Sequence, residues 1–448
     1  MKKRFRAMLC VAALALLLCT SAMAAGPTDL NIAYNGAPLT FTDAVPQIVN
    51  NRTYLPFRAV FTALGFADEN ITFANDTRTV SAVGEDLEVS MVIGENKVTI
   101  VKDGKTTVLD TDVPAFIDPA VNRTFVPVSF VAQAVGYRVA WNGETRTVFI
   151  DDVEGILAAN TQTYQILEKY LAYCQAFQKK NYKVEGTFAA TMDAAEDAMS
   201  MAGTYSMRMA GSSKFDLSMR MNLSGLTEGT DLSDAIPEGI DLAMCGDMTS
   251  GDIYFKSDRL MTQMGNGTEN LWFKVKRGTM MGSSAETRGM FYMDMLDMSQ
   301  IAQGVRGKDL VENRISALAQ SDPTRSVVDQ LAMYNALFGD SAFEKKSGDY
   351  VNAFEEDGTK MTVVFHTSGN RINGYSVTMS TVEDGISVSV EQSMKEKTMH
   401  TVYRVQEDGT NMTMEMDGIC TAAKNGPVGA PGKEEMVLEL TAPLFPAA

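Results

Sequence analysis

The feature that most constrains the fold is a stretch written twice. Asn51–Phe66, NRTYLPFRAVFTALGF, returns as Asn122–Tyr137, NRTFVPVSFVAQAVGY, with Asn51/Asn122, Arg52/Arg123, Thr53/Thr124, Pro56/Pro127 and Gly65/Gly136 all displaced by 71 positions. A second echo follows at a displacement of 68: Asp76-Thr77-Arg78-Thr79-Val80 matches Glu144-Thr145-Arg146-Thr147-Val148, and Phe73 stands where Trp141 stands later. The connecting loop is therefore three residues shorter in the second copy. A segment that recurs whole at a fixed spacing is one supersecondary module made twice.

Each copy opens on a hairpin. In the first, Leu30 to Tyr34 and Pro38 to Phe41 flank Asn35-Gly36; in the second, Lys97 to Val101 and Thr106 to Leu109 flank Asp103-Gly104. Asn-Gly and Asp-Gly supply the positive φ of tight hairpin turns. An extended run then ends at Pro56 or Pro127, because the residue before a proline is pushed to extended geometry while the proline suits a first helical turn. Phe57, Val60, Phe61 and Leu64 form one helical stripe, and Phe130, Val131, Ala134 and Val135 form its counterpart. Gly65 and Gly136 stand where a left-handed cap ends a helix. A strand holding Phe73 or Trp141, a turn and a Thr-Arg-Thr-Val strand close each unit, with Arg78 and Arg146 expected on a solvated strand face. Burial of Trp141 in that unit's core would make Trp141→Ala cost roughly 3–5 kcal/mol.

These residues resemble the copper amine oxidase-like N-terminal domain family over about residues 29 to 150, in both copies, through the Asn-Arg-Thr-aromatic-x-Pro, Gly-aromatic and Thr-Arg-Thr-Val elements. The resemblance implies a noncatalytic stalk module of an exported bacterial protein, joined to some other domain. Amine oxidase chemistry itself needs three histidine ligands for copper and a tyrosine followed by an acidic residue. This chain has two histidines, His366 and His400, and its Asn181-Tyr182 pair is followed by Lys183. The ligand count excludes that activity.

Compartment is read from the first residues. Lys2, Lys3, Arg4 and Arg6, an apolar run from Met8 to Leu18, and Ala22-Met23-Ala24 form a secretory signal peptide, residues 1–24, with cleavage expected after Ala24. The run is too short for a spanning helix of ~20 residues, so no transmembrane segment is expected. Cys174, Cys245 and Cys420 remain after cleavage, an odd and widely spaced set that reads as buried thiols, with one pair able to oxidise. A net charge of −17 argues against nucleic acid as a partner and equally against electrostatic docking on anionic lipid headgroups.

From Val153 the pattern changes. Tyr164, Leu167, Leu171, Cys174 and Phe177 recur at helical spacing, after which the period becomes two. Tyr205, Met207 and Met209 alternate with Ser206 and Arg208; Leu217, Met219, Met221 and Leu223 alternate with Ser218, Arg220 and Asn222; Met412, Met414 and Met416 follow the same rule. Alternation puts these methionines on one sheet face and the polar residues on the other. Turns at Asp357-Gly358, Asn373-Gly374, Asp384-Gly385 and Asp408-Gly409 make the sheet an antiparallel meander. A helical insertion at about 285–338 divides it, its last helix starting near Asp322-Pro323 with Val327, Leu331, Tyr334 and Leu337 as the apolar stripe. The layout of 153–448 resembles the lipoprotein-carrier-like half-barrel of bacterial envelope proteins. The fold expected is thus α+β: a duplicated small α+β stalk module at 29–152, with repeats at about 29–82 and 96–150, then a larger antiparallel β half-barrel.

Methionine is the unusual residue: of 30, all but Met1, Met8, Met23 and Met91 fall in this second region. Unbranched thioethers line adaptable apolar grooves, fill irregular cores, or bind soft Cu(I). Met-x-Met is also what any methionine-rich amphipathic strand spells, and no histidine or cysteine stands beside these arrays. Met207, Met209, Met219, Met221, Met412, Met414 and Met416 are therefore expected to line a site for an apolar or lipid-like ligand, with no metal, no cofactor and no catalytic residue assigned. His366 and His400 read as ordinary strand residues, and Glu355-Glu356-Asp357 as a solvated run. The function expected is that of an exported noncatalytic envelope protein binding such a ligand. The alternative is a structural surface scaffold contacting cell wall or another protein.

Overall fold

The computed structural model describes residues 30–439 apart from 86, 179–180, 195–196, 211–213, 223–238, 248–249, 258–270, 277–299, 301–303, 357, 384 and 408. The expected signal peptide, and the first part of the expected insertion, lie outside the described residues. The chain divides into an N-terminal unit, Ala22–Thr161 with Glu312–Asn335, and a C-terminal unit, Gln162–Val311 with Ala336–Ala448.

In the N-terminal unit, each Asn-Arg-Thr strand, Arg52–Pro56 and Arg123–Pro127, feeds a seven-residue helix, Phe57–Ala63 and Val128–Ala134. Gly65 and Gly136 follow these helices at φ 92° and 84°, the left-handed geometry that side chains resist. The two strands pair with each other, Tyr54 opposite Pro127, Leu55 opposite Val126 and Pro56 opposite Phe125. Tyr54 and Pro56 correspond to Phe125 and Pro127, so the register maps onto itself when the copies are exchanged. An internal two-fold axis passes between Leu55 and Val126. Arg52 pairs with Asp112 and Arg123 with Asp43, each arginine reaching the acidic residue that precedes the other copy's strand.

The hairpins form at Asn35-Gly36 and Asp103-Gly104, all four residues at positive φ. They are exchanged between copies. Asn31–Tyr34 pairs in parallel with Thr147–Asp151, the closing strand of the second copy. The second hairpin reaches the first copy's closing strand, Thr79–Val83, through an added strand, Leu87–Val92. One core results, in which Leu55, Phe61, Val80, Val126 and Val148 cluster together. The three extra residues of the first copy are the 3-10 turn Asp68–Asn70.

Two expectations are corrected here. Arg78 and Arg146 do not begin strands: they end four-residue turns at φ 52° and 50°, and the strands start at Thr79 and Thr147. Trp141 is not buried. It is 40% exposed, as is its counterpart Phe73, because each, although it shares a face with the core valine opposite it, Val148 or Val80, lies on the edge strand of its sheet with no further strand to cover it. Trp141→Ala is accordingly expected to cost only about 1–2 kcal/mol, read as a shift in urea midpoint. A loss above about 3 kcal/mol would mean that the indole is buried in solution.

The C-terminal unit is built on one 14-stranded sheet curled as a half-barrel. Asn181–Ala194, Asp197–Ala210, Lys214–Asn222, Ile240–Asp247, Asp252–Lys256 and Leu271–Lys276 form one antiparallel meander. Glu344–Lys346, Asp349–Glu356, Thr359–Ser368, Arg371–Glu383, Ile386–Lys395, Thr398–Glu407 and Thr410–Ala422 form another. The last strand of the second pairs with the first strand of the first, Gly418 opposite Gly186, so the meanders fuse. Met436–Glu439 adds in parallel beside Leu271–Lys276, a departure from the expected all-antiparallel order. Gly358, Gly385 and Gly409 are turn residues at positive φ, whereas Asn373-Gly374 is not a turn: it lies inside Arg371–Glu383 beside a register shift at His366/Thr367.

The helical region after Val153 is broken. Val153–Ala158 stops, and Gln165–Gln178 restarts with its first amides, Gln165 and Ile166, donating to the Asp340 carboxylate at 2.9 and 2.8 Å. That anion sits where the helix dipole favours it. Tyr164, Leu167 and Leu171 are buried as expected; the side chain of Phe177 is outside the described residues. Later come Gly307–Ser321 and Val327–Phe338. The second begins four residues beyond Pro323, because Ser326 is its cap: its Oγ accepts from the Asp329 amide at 3.1 Å and donates to the Asp329 carboxylate at 2.7 Å. Val327, Leu331, Tyr334 and Leu337 are all buried. Residues 312–335, read from sequence as part of the C-terminal region, pack in the N-terminal unit.

Candidate functional site

Register settles where the methionines point. One row across the sheet runs Thr401, Met416, Phe188, Gly203, Met221, Ile240, each directly opposite the next. The neighbouring row runs Met399, Gly418, Gly186, Tyr205, Met219, Leu242. Paired residues share a face, so Met219, Met221 and Met416 lie together. Period-two spacing adds Met412 and Met414 from Thr410–Ala422, and Met207 and Met209 from Asp197–Ala210. All seven candidates occupy one face, and each is half-buried. Val184, Phe188, Tyr205 and Cys420 form the buried cluster on this face, and Met207, Met219, Met221 and Met416 pack against it.

Glycine is the component that the sequence pattern did not flag. A Cβ on Gly203 would stand 2.7 Å from the Phe188 ring, and one on Gly418 would stand 2.4 Å from the Tyr205 hydroxyl. The aromatic rings lie down over these bare backbone positions and make the floor of the methionine face. Toward the other meander the same face is occupied by the chain itself: Tyr170 of Gln165–Gln178 stacks on Phe365 at 4.4 Å and meets Tyr375 edge-on at 5.8 Å.

The opposite face is polar and ion-paired. Arg208 meets Asp216 at 2.7 Å, and Asp216 also accepts from the Val428 and Gly429 amides. Here the structure assembles a cluster not anticipated from sequence. His366 Nδ1 lies 2.9 Å from Asp349 Oδ2, His366 Nε2 lies 2.8 Å from Ser376 Oγ, and the Thr367 amide donates to Asp349 Oδ1 at 2.8 Å. With Asp349 ionised, Nδ1 carries the proton and Nε2 accepts from the serine. This is the order of an acyl-transfer triad, but Ser376 is on a strand paired along both edges. Its neighbouring backbone amides are committed to ladder bonds, so they are not free to act as oxyanion donors.

Burial alone would raise the Asp349 pKa, but the hydrogen bonds from His366 and the Thr367 amide outweigh it and hold the carboxyl below its ordinary value. A depressed carboxyl contributes stability above its unfolded-state pKa and loses it as pH falls through the folded-state value. Asp349→Asn is therefore expected to cost roughly 1–2 kcal/mol at neutral pH, with the difference closing in acid below the usual aspartate range. Urea midpoints at two pH values check this; a deficit unchanged in acid would assign it to packing.

The three cysteines are free. Burial pushes the Cys174 and Cys245 thiols up to about 12, far from the reactive thiolate range. Among the described residues no helix is long and apolar enough to cross a membrane.

Residues 33–150 match the family model of the copper amine oxidase N-terminal domain. Among solved structures, a DUF1329 family protein from Desulfovibrio piger is 8% identical, covering 59% of this chain and 94% of its own, at a TM-score of 0.22. Ail, the attachment invasion locus protein of Yersinia pestis, is 3% identical, covering 54% of this chain and 97% of its own, at 0.12. Likenesses at these scores carry no argument about fold or role. No curated protein matches the chain.

Proposed function

We propose that this chain, with a copper amine oxidase N-terminal domain at residues 33–150, is an exported, noncatalytic binding protein whose sheet holds a lipid-like or other apolar ligand against its methionine face. The observation that carries the reading is the common face of Met207, Met209, Met219, Met221, Met412, Met414 and Met416, all half-buried, with Met207, Met219, Met221 and Met416 packed against the cluster that holds Phe188 and Tyr205. Thioethers of three rotatable bonds repack around ligands of varied shape, which suits a broad apolar site better than a narrow one. Export is what the signal peptide expected at 1–24 would direct. Native mass spectrometry and solvent extraction of the purified chain test the reading, together with binding of a hydrophobic dye. A co-purifying apolar molecule is expected, and Met219→Asp/Met416→Asp should abolish dye binding. A chain that carries nothing and binds no dye would refute it.

A second reading, a surface scaffold contacting wall or protein, is favoured by the paired exposure of Phe73 and Trp141. It predicts that Phe73→Ala/Trp141→Ala removes retention on purified cell wall while leaving dye binding intact.

A further inference from the structure

We propose that His400, Glu415 and Asp417 form a binding site for a divalent transition-metal ion of the zinc class, on the polar face of the sheet. The site is independent of the methionine face and of the ligand proposed for it. Thr398–Glu407 and Thr410–Ala422 are neighbours in the sheet, with His400 directly opposite Asp417. Glu415 is two residues from Asp417, so all three side chains leave the same side. His400 Nδ1 lies 2.8 Å from Asp417 Oδ1 and 4.0 Å from Glu415 Oε1. One donor atom from each residue lies within 4.8 Å of the other two. Donors about 2.0–2.2 Å from a shared tetrahedral ion stand about 3.4 Å apart. The observed spacings bracket that value, and the exposed Glu415 side chain has room to close the remainder.

Charge singles this cluster out from its surroundings. On the same face Glu185 is met by Lys183 at 2.6 Å, Asp216 by Arg208 at 2.7 Å and Glu391 by Arg404 at 4.0 Å. Among the described residues, Glu415 and Asp417 are in ion-pair range of no lysine or arginine; their shared partner is the His400 ring. Two carboxylates converging on one imidazole without a cation leave a local negative field that a dication would neutralise. The imidazole sets the metal class: calcium and magnesium take oxygen ligands, whereas one nitrogen and two carboxylate oxygens, with water in the fourth position, suit zinc and its neighbours.

The test uses the full chain after dialysis against a chelator. Titration calorimetry with zinc chloride should give a saturable site, weakened at least ~10-fold by His400→Ala and by Asp417→Asn, and unchanged by His366→Ala, whose ring is engaged by Asp349 and Ser376. Far-UV circular dichroism confirms that each variant is folded, and Glu415→Gln, at an exposed position, serves if His400→Ala is not. Cobalt substitution should give visible bands without thiolate charge transfer. Absence of saturable zinc uptake, uptake indifferent to these substitutions, or thiolate bands that place the ion on cysteine would each overturn the assignment.

Discussion

Replacing Arg138 with alanine is expected to lower the stability of the N-terminal unit by about 3–5 kcal/mol, the cost of breaking a buried ion pair from one side. The guanidinium is 8% exposed and its partner Asp151 fully buried, with Nη1 2.7 Å from Oδ2. Arg138 also donates to the carbonyls of Ala319 at 2.6 Å, Arg325 at 3.2 Å, and Asp322. The first of these is in the last turn of Gly307–Ser321, where unpaired helix carbonyls gather. Asp151 also accepts from the Val327 amide, so this one pair ties the end of one helix to the start of the next. Alanine would strand a buried carboxylate and three carbonyls together. Urea denaturation followed by tryptophan fluorescence in a Trp272→Phe background, where Trp141 alone reports, reads the loss. Arg138→Lys should not restore it, because an ammonium cannot reproduce the planar fork. The double change Arg138→Met/Asp151→Leu should recover much of it, because no unpaired charge then remains. A single-variant loss below about 1 kcal/mol, the value of an exposed pair, would show that water reaches the site.

Phe365→Ala is expected to destabilise the C-terminal unit by about 3–5 kcal/mol, from lost transfer energy and the cavity left behind. The ring is wholly buried, stacked on Tyr170 at 4.4 Å and on Phe343 at 5.3 Å. Each such contact adds about 0.5–1.5 kcal/mol beyond burial. Tyr350 and Tyr375 flank it across the strands, so the site has little freedom to collapse. Guanidinium denaturation measures the effect, and Phe365→Leu should lose considerably less. If alanine costs no more than leucine, Gln165–Gln178 does not depend on that ring for its seat.

What the sequence determined by itself about this protein was local in origin. The duplicated segment, the Asn35-Gly36 and Asp103-Gly104 turns, the glycine caps at Gly65 and Gly136, and the helical stripe from Val327 to Leu337 follow from backbone sterics and short-range periodicity. The common face of the methionines was legible for the same reason, since alternation within a strand fixes sides before any partner is chosen. Tertiary structure decided whatever needed a distant partner. It exchanged the hairpins between the copies and fused the meanders at Gly186 and Gly418. It also gave residues 312–335 to the N-terminal unit and left Trp141 exposed. The Asp349–His366–Ser376 cluster and the His400–Asp417 pair likewise exist only because particular strands became neighbours. Which strands pair is set by the apolar surface that the whole chain can bury together, a quantity no local window contains.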